Sequence, residues 1–122
     1  GANAVAAYRS STNKKAKNLI VVGGDFLRDR LDSANCALSK DGGRSWFVPE
    51  RPPFGYRSGV CWVDQNRAIA CGTSGVDVSL DRGMNWRPLS TTGYHVCAQA
   101  KSGHFVYLAG AKGRMALLKW QK

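Results

Sequence analysis

Short apolar runs, each closed by glycine, recur along the chain. Leu19-Ile20-Val21-Val22 ends at Gly23, Ala68-Ile69-Ala70-Cys71 at Gly72, and Val106-Tyr107-Leu108-Ala109 at Gly110. Runs of this size, rich in β-branched residues and bounded by turn residues, predict strands. A second set precedes them: Ala4 to Tyr8, Gly59 to Val63 and Val96 to Ala98. A third set follows: Cys36 to Leu38, Val76 to Val78 and Met115 to Leu118. A fourth strand is expected near Trp46 to Val48 and near Trp86 to Leu89, where Pro88 suits an outer edge. The 3.6-residue period of an amphipathic helix is absent, and Gly, Ser, Asn and Asp interrupt the chain every 8–12 residues or so, as in an all-β fold.

The strands fall into repeating units because two octets match. Ser39-Lys40-Asp41-Gly42-Gly43-Arg44-Ser45-Trp46 and Ser79-Leu80-Asp81-Arg82-Gly83-Met84-Asn85-Trp86 both read S-x-D-x-G-x-x-W, 40 residues apart. A period of about 40–50 residues suits a four-stranded propeller blade. In each octet the aspartate accepts backbone N–H groups of a turn, the glycine (Gly43, Gly83) allows positive φ, and the serine (Ser39, Ser79) bonds across the turn. The tryptophans, Trp46 and Trp86, are expected to anchor the turn in the core with their indole N–H groups satisfied locally. These eight residues are read as structural.

The fold class expected is therefore all-β, built of about three antiparallel blades in one domain over residues 1–122. The first blade covers about 2–50 and the second about 55–90. The third, about 93–122, lacks its octet and last strand. Between its second and third strands the first unit carries eight extra residues, near Asp25 to Asp32. An insertion in one repeat maps to a loop on one face, often the binding face. A closed propeller needs roughly four to eight blades, so three are expected to join copies of themselves, to pair with missing N-terminal blades, or to be only marginally stable. The start at Gly1, without Met or signal peptide, reads as a processed, recombinant or cut chain, and the three-strand finish as a natural C-terminus.

Charge and cysteine change this picture little. The chain has 122 residues, 43% of them hydrophobic, and a net charge of +10. The basic residues are scattered apart from Lys14-Lys15-Ala16-Lys17, and aromatics are not interleaved with them. A solvated basic surface is expected, and nucleic acid is not an expected partner. No run approaches the ~20 apolar residues of a membrane-spanning helix. Cys36, Cys61, Cys71 and Cys97 lack metal-site spacing and fall in apolar runs, so buried free thiols are expected, with a disulfide between neighbouring strands as the alternative.

The octets are similar to the Asp box of sialidase-type and related propellers. Gly55 to Val60, Cys71 to Ser79, Val21 to Phe26 and Gly110 to Arg114 extend the resemblance to a bacterial family of Asp-box propellers related to photosystem II assembly factors. It covers roughly Ala4 to Trp120, corresponding to a C-terminal portion. It implies octets at the blade periphery, away from a central channel, and an exported protein. Members often carry the label oxidoreductase. Here no glycine-rich loop opens a helix, no haem-attachment motif occurs, and His95 and His104 have no companions at ligand spacing. No cofactor, no metal and no catalytic residue is expected.

Propeller connectivity places the insertion and the segments entering each first strand around one channel mouth. There Tyr56-Arg57 and Tyr94-His95 occupy equivalent positions. Arg57 would clamp a carboxylate or phosphate, Tyr56 and Tyr94 would stack, and His95 would respond to pH. Asp25 and Arg28 join them from the insertion. Asp25, Asp29 and Asp32 interleave with Arg28 and Arg30, which predicts surface salt bridges rather than a cation site. The leading expectation is a non-catalytic binding or assembly scaffold holding a protein segment or small anionic ligand. The alternative is part of a sialidase-like glycoside hydrolase, with Arg57 as one of three carboxylate-binding arginines.

Overall fold

A computed structural model describes residues 1–9, 17–28, 34–100 and 105–119. The described residues are all-β, in three small antiparallel sheets. The first is β1 (Ala2–Tyr8), β2 (Asn18–Gly23) and β3 (Cys36–Ser39), in that order. The second is β4 (Gly59–Trp62), β5 (Ala68–Gly72), β6 (Gly75–Ser79) and β7 (Trp86–Ser90). The third is β8 (Val96–Gln99), β9 (Phe105–Ala109) and β10 (Met115–Lys119). Every strand pairs with its neighbour in sequence, so each sheet is a meander of contiguous chain.

The strands match the apolar runs, with one correction. The fourth strand expected near Trp46 to Val48 is a single bridge, in which Phe47 and Leu38 exchange both backbone bonds at 2.8 and 2.9 Å. Pro49 follows directly, and beyond it Pro52 and Pro53 remove further N–H donors, so the ladder does not extend. In the second sheet the corresponding strand forms, as β7. Pro88 lies on its outer edge, opposite Asp77, just beside a register shift.

Register decides which side chains share a face. Ile20 pairs with Leu38 and Val22 with Cys36, and these residues point at the second sheet. They meet Val60, Trp62, Ala68 and Ala70 there, with Trp86 completing the first core. The Trp62 indole N–H reaches across to the Ala6 carbonyl at 3.2 Å. The opposite face of the second sheet carries Cys61, Ile69, Cys71, Val76 and Val78. It packs on Val106 and Leu108 of β9, flanked by Cys97, Ala116 and Leu118. The sheets are stacked in chain order, and β4 to β6 are buried along their whole length.

Aligned on their closing glycines, Ile20 and Val22 match Ile69 and Cys71, then Tyr107 and Ala109. Each of the first two sheets thus presents the same forward face to the next. The third presents that face to solvent, with Tyr107 50%, Met115 71% and Leu117 47% exposed. At the other end, the backward face of the first sheet, with Val5, Leu19 and Val21, has no sheet against it among the described residues.

Candidate functional site

The two octets fold into turns of the same hydrogen-bond pattern. Gly43 N–H donates to Ser39 Oγ and Gly83 N–H to Ser79 Oγ, both at 2.8 Å. Ser45 N–H donates to Asp41 Oδ1 and Asn85 N–H to Asp81 Oδ1, both at 2.9 Å. The serine hydroxyls donate to the same carboxylate oxygens. The Ser45 hydroxyl and amide, with Ser39, hold Asp41 down at about 2. Burial opposes ionisation of Asp81, but the Asn85 side chain and amide and the Ser79 hydroxyl outweigh it and lower its pKa.

The tryptophans differ. Trp86 is buried, and its indole N–H donates to the Gly83 carbonyl at 2.7 Å. Trp46 was expected to do the same, yet it is 45% exposed. The reason lies in the stacking. A Cβ on Gly83 would meet Leu38 and Ile20, so the second turn packs against the first sheet. A Cβ on Gly43 would meet only Leu19 and Trp46, on the face where no sheet precedes.

The proposed ligand residues gather at one end of the stack, where β2, β5 and β9 finish. Arg57 N–H donates to the Gly23 carbonyl at 2.8 Å, and Tyr94 N–H to the Gly72 carbonyl at 2.9 Å. The Ser58 hydroxyl donates to the His95 carbonyl at 2.7 Å. Glycine is required at 72, because a Cβ there would lie 2.1 Å from the Tyr56 carbonyl oxygen. Tyr56 is half-buried and meets Phe26 edge to face at 5.5 Å, which joins the insertion to this end. Tyr94 is half-buried against the second core, and His95, Asp25 and Arg28 are exposed. Asp25 Oδ1 accepts the Leu27 N–H at 3.0 Å, closing a local turn. Asp29, Arg30, Asp32 and His104, and with them the expected acidic-loop salt bridges, lie outside the described residues.

Arg57 corrects the expectation of an exposed anion clamp. It is 1% exposed, and its Nε donates to Asp77 Oδ2 at 2.7 Å. Its Nη1 donates to the Tyr56 carbonyl at 2.9 Å and to Ser74 Oγ at 3.0 Å. A buried guanidinium needs a fixed counter-charge, and Asp77 supplies it from within the chain. Asp77 Oδ2 also accepts Phe54 N–H at 3.0 Å. Asn35 Nδ2 donates to the carbonyls of Pro53 and Gly55 at 2.7 and 2.8 Å. These contacts clamp the loop joining the first sheet to the second. Sequence reasoning missed Asp77 and Asn35. The available signal was a carboxylate between Val76 and Val78, since a charge inside a buried strand requires a partner.

Clefts among the described residues also lie away from this end. One of about 160 Å³ opens between the octet turns, beside Lys40, Phe47 and Arg82. An apolar groove of about 260 Å³ runs between Leu89 of β7 and Leu117 of β10. Among the described residues no group of three His, Cys, Asp or Glu side chains is placed to hold a metal ion, and no helix is long and apolar enough to cross a membrane. No family model, curated protein or solved structure matches the chain.

Proposed function

We propose that this chain is a non-catalytic assembly scaffold of the Asp-box propeller type, and that its open sheet faces are covered by a second copy of itself. The supporting observation is the contrast between Trp86 and Trp46. Trp86, with a sheet in front of it, is 2% exposed; Trp46, at the equivalent place with none, is 45% exposed. What covers Trp86 is the forward face carrying Ile20, Val22 and Leu38. The equivalent forward face of the third sheet carries Tyr107, Met115 and Leu117, and it is uncovered. The last sheet of one copy is therefore the counterpart of the first sheet of another. Two such head-to-tail contacts related by a twofold axis close a ring of six sheets, within the roughly four to eight that propellers use.

In that ring the ends bearing Tyr56, Tyr94 and His95 surround one opening, where a protein segment would be held. The sialidase-like alternative has less support, because Arg57 already has its carboxylate in Asp77.

Light-scattering chromatography tests the assembly. The expected mass is twice 13.2 kDa, falling towards one copy on dilution. Leu117→Asp, which puts a charge on the forward face, is expected to give a folded monomer. A monodisperse wild-type monomer would overturn the reading and assign the open faces to repeats elsewhere in a longer chain. An unlimited ladder of sizes would overturn the closed ring.

A further inference from the structure

Three of the four cysteines converge where the second sheet meets the third. Cys61 on β4 pairs in register with Ile69 on β5, and Cys71 lies two residues beyond Ile69 on the same face. Cys97 on β8 faces them, its Sγ 3.9 Å from the Ile69 carbonyl oxygen. Both Cys61 and Cys71 influence the ionisation of its thiol. The backbones approach closely on the Cys71 side. Gly59 pairs with Cys71, and a Cβ on Gly59 would lie 2.9 Å from Cys71 Sγ and 3.1 Å from Cys97 N. The missing side chain is what lets the backbone of β8 come down beside the Cys71 sulfur. Cys36 belongs to the other core, between the first and second sheets.

We infer that Cys71 and Cys97 form a redox site, which a small-molecule disulfide oxidises to a covalent link between the second and third sheets. Cys71 is fully buried, Cys61 is 8% exposed and Cys97 is half-buried, so the reagent meets Cys97 first. The Cys97 sulfur, losing its proton, attacks the reagent's S–S bond. A mixed disulfide forms and one small thiol leaves. The Cys71 sulfur, losing its proton, then attacks Cys97 Sγ. The protein S–S bond forms and the second small thiol leaves. Two protein thiols have lost two electrons and two protons, and the reagent has been reduced to two thiols.

The electrostatics of the reduced pair differ from those of the second attack. The hydrogen bond from Cys97 lowers the Cys71 pKa against the opposing effect of burial, and the charge of Arg57 lowers it further. Hydrogen bonding to Cys61 and Cys71, with burial, pushes Cys97 well above the ordinary thiol range, so the first attack is the slow step. Once Cys97 is in the mixed disulfide it no longer donates to Cys71, and the charge of Arg57 is what continues to favour the Cys71 thiolate. Cys36 has no such neighbour among the described residues, and burial pushes it up to about 12.

Peptide mapping tests the site. The folded chain is incubated with oxidised glutathione, its free thiols are alkylated, and it is digested without reduction. The expected product is one peptide pair joining Cys71 to Cys97, with Cys36 and Cys61 alkylated. The melting midpoint is expected to rise by roughly 10 °C and to fall back with dithiothreitol, because the bond closes a loop that the unfolded chain would otherwise leave open. Cys36→Ser should form the link unchanged, and Cys97→Ser should leave Cys71 unoxidised. Four alkylated cysteines in the treated wild type, a link through Cys36 or Cys61, or a stable glutathione adduct at Cys97 would each overturn the assignment. The mapping does not depend on the oligomeric state.

Discussion

Asp41 and Asp81 hold their turns as carboxylates, so the turns are sensitive to acid. The Asp41 pKa lies at about 2 in the folded chain against an ordinary 3.8. A depressed folded pKa contributes stability that is fully present above the unfolded value. That contribution drains away between about pH 4 and pH 2, as the unfolded chain takes up its proton first. Asp81 is shifted in the same direction. The melting midpoint should therefore fall across this window, and Asp41→Asn should shallow the fall; an unchanged slope in the variant would contradict this account. The Arg57–Asp77 pair behaves differently, because both groups are buried. Asp77→Ala should cost about 3–5 kcal/mol in urea unfolding by stranding the guanidinium. Replacing both residues together with apolar ones of similar size should cost much less.

At the scale of the element, equal sequence does not give equal burial. Trp86→Ala should destabilise by about 3–5 kcal/mol, as expected for a large aromatic removed from a core. Trp46→Ala in the dissociated chain should cost about 1 kcal/mol or less, since nearly half of Trp46 is already in water. Chemical denaturation of both variants at low protein concentration checks the contrast. The same comparison shows what was legible in the sequence. The strand runs and the turn bonds were, because they depend on residues close together along the chain. Trp46 was misjudged because its environment depends on what lies in front of a sheet, which no local pattern encodes. Arg57 was misjudged for a related reason. Its partner Asp77 is 20 residues away, and only the pairing of β5 with β6 turns that carboxylate towards it. The convergence of Cys61, Cys71 and Cys97 was hidden in the same way, by dependence on register and stacking together.

At the scale of the whole molecule, the chain is an ordered stack with two unlike ends. The middle sheet is covered on both sides, and each outer sheet on one. Sheet contacts run between successive units, so energy is distributed as in a repeat array rather than a single central core. One feature of that arrangement bears on the living cell: each sheet is a contiguous stretch, and its cover is made later. During translation the first sheet emerges with Ile20, Val22 and Leu38 facing water until the second has been synthesised. At about 5–20 residues per second, the roughly 40 residues between the two octets take about 2–8 seconds. For those seconds the nascent chain displays a bare apolar surface beside the ribosome, the kind of exposure that invites aggregation.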